Sequence, residues 1–156
     1  MRLRRIVAFT IIASLFQVTV LNYFSFLHVK PDLILAAVFI ASFSLSLRQA
    51  LLLALLGGIF KDAFSLSRFG LNAGFFPLWV FVVKELSRRV SIEDGVSRTL
   101  LLIIIAFSHN ILTGLILVNS GAQPPLGIFL RITLLSSFYT AACYFLVSKY
   151  IIRWRE

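Results

Sequence analysis

The chain has 156 residues, 60% of them hydrophobic and 13% charged, and a net charge of +9. Soluble globular chains run about 45–50% apolar and about 25% charged, so an ordinary soluble domain is excluded. The fifteen Lys and Arg residues stand at the ends of apolar runs, not on a basic face interleaved with base-stacking aromatics, which argues against nucleic acid as a partner. Apolar windows of roughly 17–25 residues, the length that crosses a bilayer, recur throughout, so the chain reads as one all-α integral membrane domain over 1–156.

Arg2, Arg4 and Arg5 precede an apolar run of 22 residues, Ile6 to Leu27. A secretory h-region is about 7–15 residues and ends at a small-residue cleavage site, so this run predicts an uncleaved first span at 6–27. Pro31 suits the first position of a helix, and Asp32 beside it suits the positive end of the helix dipole. The stretch 33–60 allows one helix interrupted by Arg48, or a hairpin of spans 32–47 and 49–66 turning at Ser46-Leu47-Arg48. Charge decides between them. With six spans, eleven Lys and Arg fall on the cytoplasmic side and four outside; with five, six fall inside and eight outside. The five-span reading also strands Arg48 near mid-bilayer, at a cost of at least ~2.5 kcal/mol.

Span four is placed at 71–86, span five at 99–118 and span six at 126–148, with both termini cytoplasmic. Ser91-Ile92-Glu93-Asp94 has the form of a capping box, so the fifth helix is expected to begin before Thr99. Gln123-Pro124-Pro125 marks an external loop. The single cysteine, Cys143, lies in the last apolar run, which excludes an intrachain disulfide and a cysteine metal site.

Three constellations stand out as candidate functional residues. Small residues recur at four-residue spacing in spans two and three, Ala37 and Ala41, then Ala50, Ala54 and Gly58, and make notches where another helix can approach closely. Lys61 and Asp62 stand at the end of span three. A carboxylate at membrane depth is rare and marks function, although both charges can also reach the interface along their stems. Asp62 is a candidate latch, accepting hydrogen bonds from the Ser65–Asn72 turn or from Arg131; Gly70 permits a positive φ there and Asn72 can cap the next helix. His109 and Asn110 fall at the centre of span five. They offer a proton relay, a ligand site or interhelical hydrogen bonding, the last being favoured because no carboxylate is placed beside His109. Trp79 reads as packing, and Glu85 among Lys84, Arg88 and Arg89 as a solvated cluster. The motifs G-x-S-x-G, H-E-x-x-H and the P-loop are absent, so no catalytic residue, metal or cofactor is expected.

With Pro31 opening span two, Asp62-Ala63-Phe64-Ser65 closing span three and Phe69-Gly70-Leu71-Asn72 leading into span four, the chain resembles the rod shape-determining protein MreD family. The aspartate, the serine three later and the glycine eight later match its pattern. Lys61 stands where that family is usually apolar, and Leu66 where a small residue often follows the serine. The resemblance implies a non-catalytic scaffold of the bacterial inner membrane, working in cell elongation and peptidoglycan synthesis. Its implied partners are MreC first, then RodA and a class B penicillin-binding protein, MreB indirectly, and membrane lipid. It also implies a six-helix fold similar to the substrate-binding subunits of energy-coupling-factor vitamin transporters, which supplies the alternative function. The external segments 28–31, 67–70 and 119–125 are short for capturing a ligand, so the scaffold is the expected role.

Overall fold

A computed structural model describes residues 2–19, 29–65, 69–90, 92, 94–121 and 125–153, with Arg2 and residues 149–153 described by their backbone. The described residues form six helices: α1 (Arg2–Thr19), α2 (Leu33–Ser44), α3 (Leu47–Ala63), α4 (Leu71–Arg89), α5 (Gly95–Asn119) and α6 (Leu126–Arg153). The protein is all-α. Gly95–Asn119 and Leu126–Ser148 are long and apolar enough to cross a membrane, while Leu33–Ser44 is apolar but shorter. Residues 20–27 of the expected first span, Ser91 and Glu93 of the expected capping box, and Gln123-Pro124 lie outside the described residues.

α2 is apolar around its whole circumference, and a helix of that kind is stable only when surrounded. Every residue from Ile34 to Ser42 is buried, and α2 touches all five other helices. Its ends are defined by side chains. Asp32 is the N-cap, its Oδ1 accepting from Leu35 N at 3.0 Å. The chain then turns at Leu45 and Ser46, so Arg48 belongs to the first turn of α3 and not to the loop. The capping box in this chain is Ser46-Leu47-Arg48-Gln49: the Ser46 hydroxyl accepts from Gln49 N and the Gln49 side chain accepts from Ser46 N, both at 3.4 Å. α5 does begin before Thr99, at Gly95, but its N-cap Asp94 makes no side-chain capping bond.

α3 and α4 form the most intimate pair. A Cβ built on Gly58 would stand 2.5 Å from the Asn72 carbonyl oxygen and 2.6 Å from Ala73 Cα. These are backbone atoms and cannot swing aside. On the neighbouring position, a Cβ at Gly57 would meet Ile34 of α2 at 3.2 Å. Ala37, Ala41, Ala50 and Ala54 have no exposed surface at all, and Gly58 is buried. The notches are therefore filled by the chain's own helices. The partner helix expected to use them is displaced, because the small residues serve contacts within the chain. Gly58→Ala should push the two backbones apart and lower stability by about 1–3 kcal/mol, the usual cost of overpacking. Thermal unfolding in detergent checks this, and an unchanged midpoint would contradict so close an approach.

α5 and α6 form the second close pair, where a Cβ on Gly114 would overlap the Phe129 ring. At one end of the molecule, Lys84 Nζ donates to the Leu45 carbonyl at 2.6 Å and the Arg98 guanidinium lies 5.0 Å from the Phe43 ring centre. That end, with Arg48, Arg88 and Arg89, is the basic end. The start of α2, the end of α3 and the start of α4 meet away from it.

Candidate functional site

The junction is made by two consecutive charged residues of α3 that face different helices. Successive helical residues diverge by about 100°, so Lys61 and Asp62 cannot share a partner. Asp62 turns to α4. A helix leaves its first backbone N–H groups without partners, and Gly70, the N-cap of α4, has no side chain with which to satisfy them. Asp62 supplies the cap from another helix. Its Oδ1 accepts from Asn72 N at 3.1 Å and Asn72 Nδ2 at 2.7 Å; its Oδ2 accepts from Gly70 N and Ala73 N, both at 3.0 Å. Four bonds fill the roughly four lone-pair sites of a carboxylate. The negative charge also sits at the positive end of the α4 dipole, and Asp62 is 2% exposed.

The turn between α3 and α4 is shaped for this. Gly70 has φ +99°, a left-handed conformation that side chains resist. Ser65 N donates to the Asp62 carbonyl at 3.3 Å, placing Ser65 in the turn that ends α3. Asn72 lies inside α4, one residue past its start, so it donates to the cap instead of being the cap. Arg131 stands exposed on α6 and supplies none of the Asp62 bonds. The structure thus brings Asp62, Ser65, Gly70 and Asn72 together and leaves Arg131 apart.

Lys61 turns to α2. Its ammonium is ion-paired with Asp32 Oδ2, and it lies 5.1 Å from the centre of the Phe76 ring. The expectation that Lys61 merely reaches the interface is replaced by this pairing. Its side chain is four-fifths buried, and the Asp32 side chain nine-tenths. Around Asp32 the backbone groups without a helical partner are met by side chains. Asp32 N donates to the Thr140 hydroxyl at 2.8 Å, Ile34 N to Gln17 Oε1 at 3.0 Å, and the Ser136 hydroxyl to the Lys30 carbonyl at 3.2 Å. Ser136 and Thr140 lie four apart on one face of α6, with the Thr140 hydroxyl donating to the Ser136 carbonyl at 2.7 Å. Sequence reasoning missed Gln17, Ser136 and Thr140. The available signal was polar residues at helical spacing within apolar runs.

His109 is 2% exposed and is packed by the Phe75 and Phe76 rings at 5.8 and 5.5 Å. The Trp79 indole N–H donates to its Nδ1 at 3.4 Å, so the neutral ring carries its proton on Nε2. Asn110 Nδ2 donates to the Ser137 hydroxyl at 3.3 Å, a bond between α5 and α6. Both residues link helices. Glu85 pairs with Arg89 at 2.9 Å and with Arg88 at 3.8 Å on an exposed face. Among the described residues no group of His, Cys, Asp and Glu is arranged to hold a metal ion.

The arrangement is a set of clamps. Asp62 holds α4 to α3, Lys61 and Asp32 hold α3 to α2, and Thr140 with Ser136 holds α2 to α6. Its carboxylates are occupied by the chain's own donors, which leaves them poorly suited to bind a substrate. Comparison with protein-family models, with curated proteins and with solved structures gives no match.

Proposed function

We propose that the chain is a non-catalytic, six-span scaffold of the bacterial inner membrane that acts in cell elongation, as its resemblance to the MreD family implies. The observation that carries the scaffold reading is saturation at the junction: all four Asp62 acceptor positions are taken by α4, and Asp32 is taken by Leu35 and Lys61. Polar groups at depth are spent on fixing helix geometry, so the product of the fold is a shaped outer surface for partner helices. In this reading MreC is the first partner and the peptidoglycan synthase follows.

The membrane reading is supported by the start of α2. With 12 residues it reaches only ~18 Å, short of the ~30 Å hydrocarbon core. The described residues before it, 29–32, are non-helical backbone, which lipid does not tolerate unless protein satisfies its polar groups. Ser136 and Thr140 do this for Lys30 and Asp32, and Gln17 serves the Ile34 N–H in the first turn of α2.

Reporter fusions after Glu156 and within 87–97 should report cytoplasm, and one within 120–124 the exterior. A C-terminus found outside would end the six-span reading. For the role itself, depletion of the protein should round the cells of its rod-shaped host, and the tagged chain should co-purify MreC. Recovery of a transporter ATPase pair instead would assign the chain to the vitamin-transport alternative.

A further inference from the structure

α1 is held on one side only. It packs on α2 and α3, and towards solvent it carries Ile11, Ile12, Leu15 and Phe16 with large exposed areas. Between α1 and α3 runs a groove of about 380 Å³ whose lining is almost entirely apolar, with Leu3, Val7, Ile11 and Leu15 on one wall and Leu52 and Leu56 on the other. Ile34 N bonds Gln17 near the end of α1, so α1 runs antiparallel to α2; the turn at Leu45 and Ser46 sends α3 back. α1 and α3 therefore start at the same end of the molecule, the basic end.

We propose that this groove holds an acyl chain of an anionic phospholipid from the leaflet at the basic end, with the headgroup phosphate between Arg4 and Arg48. Charge complementarity names the occupant. Arg4 and Arg48 are exposed, one in the first turn of each helix. Arg4 lies three, seven and eleven residues before Val7, Ile11 and Leu15, so helical periodicity puts it on the groove face. α1 carries no carboxylate, and α3 carries none before Asp62. Both helices also present their positive dipole ends there. Length agrees: from Leu3 to Leu15 the groove runs ~18 Å, about half of a ~30 Å core. That suits one leaflet's chain and is short for a transmembrane helix.

The inference rests on the membrane part of the proposed function and not on the cell-elongation role. Resistance of the protein to carbonate extraction from membranes tests that part separately. The decisive measurement is native mass spectrometry of the full chain released from detergent micelles doped with equal amounts of phosphatidylglycerol and phosphatidylcholine. One phosphatidylglycerol should be retained in preference. Each arginine near an anionic headgroup contributes roughly a fivefold preference, so Arg4→Gln with Arg48→Gln should lower retention about 25-fold. Leu56→Trp, at a position 67% exposed, should fill the groove and lower retention with both arginines intact. Equal retention of the two lipids, or a double-arginine variant that keeps phosphatidylglycerol as the parent does, would overturn the assignment. So would disulfide-linked dimers through Leu56→Cys in a Cys143→Ser background, which would give the groove to a second copy of the chain.

Discussion

Replacing Asp62 with leucine should detach the start of α4 from α3 and leave little folded protein. The carboxylate serves three backbone N–H groups and the Asn72 amide. Asn72 is buried, so its backbone N–H and its amide would be left unpaired in a leucine variant, at about 1–3 kcal/mol for each buried donor, while the exposed Gly70 can turn to water. The loss of these two is a large fraction of the stability of a typical domain, about 5–15 kcal/mol. Asp62→Asn is instructive because it keeps the size. One amide oxygen can still accept from Asn72, but the amide nitrogen then faces the N–H groups of Gly70 and Ala73, donor against donor. An intermediate loss is expected, with reduced abundance of folded protein. The thermal unfolding midpoint in detergent orders the variants: parent, then asparagine, then leucine. A leucine variant with the parent's midpoint and normal abundance would show that the cap is dispensable.

Asp62 was legible in the sequence as one of two readings, a latch or an interfacial charge, because glycine and asparagine follow a carboxylate that ends an apolar run. Gly70 was legible for the same reason, since φ +99° is glycine's region. The hairpin of α2 and α3 could be read from the charge balance, and its turn more finely from Ser46 and Gln49, whose capping box passes unnoticed when attention is on Arg48. What could not be read is long-range. Lys61 and Asp32 are 29 residues apart, and the Asp32–Thr140 bond spans 108. No periodicity links them, and each alone looks like an interfacial charge or an ordinary helix hydroxyl. The small residues illustrate a second limit. Four-residue spacing says that something approaches closely, but it does not distinguish a partner from the chain's own next helix. At Gly58 the approaching atoms belong to Asn72 and Ala73, just past the turn that Asp62 holds.

The two aspartates, though alike in burial, should respond differently to loss of charge, and a pair of substitutions at Asp32 and Lys61 exposes this. Removing one partner of a buried ion pair costs about 3–5 kcal/mol, because the other charge is left uncompensated, whereas removing both can be nearly neutral. Lys61→Met strands the Asp32 carboxylate, whose remaining side-chain partner is Leu35 N. Asp32→Asn strands an ammonium on a long stem that keeps the Phe76 ring beside it and can swing towards the surface, so it should be the milder single change. The double variant removes both charges. Asparagine still offers an oxygen to cap α2, since Asn and Asp are comparable N-caps, and methionine replaces the lysine stem in volume. Its unfolding midpoint in detergent should therefore return close to the parent's, well above that of Lys61→Met. Such a recovery means that the pair contributes geometry more than energy: it makes α3 pass α2 at one register, at which Gly58 also meets α4. If the double variant were as unstable as Lys61→Met, the two charges would not act as a unit, and the position of α3 on α2 would rest on the close approach at Gly57, where a Cβ would crowd Ile34.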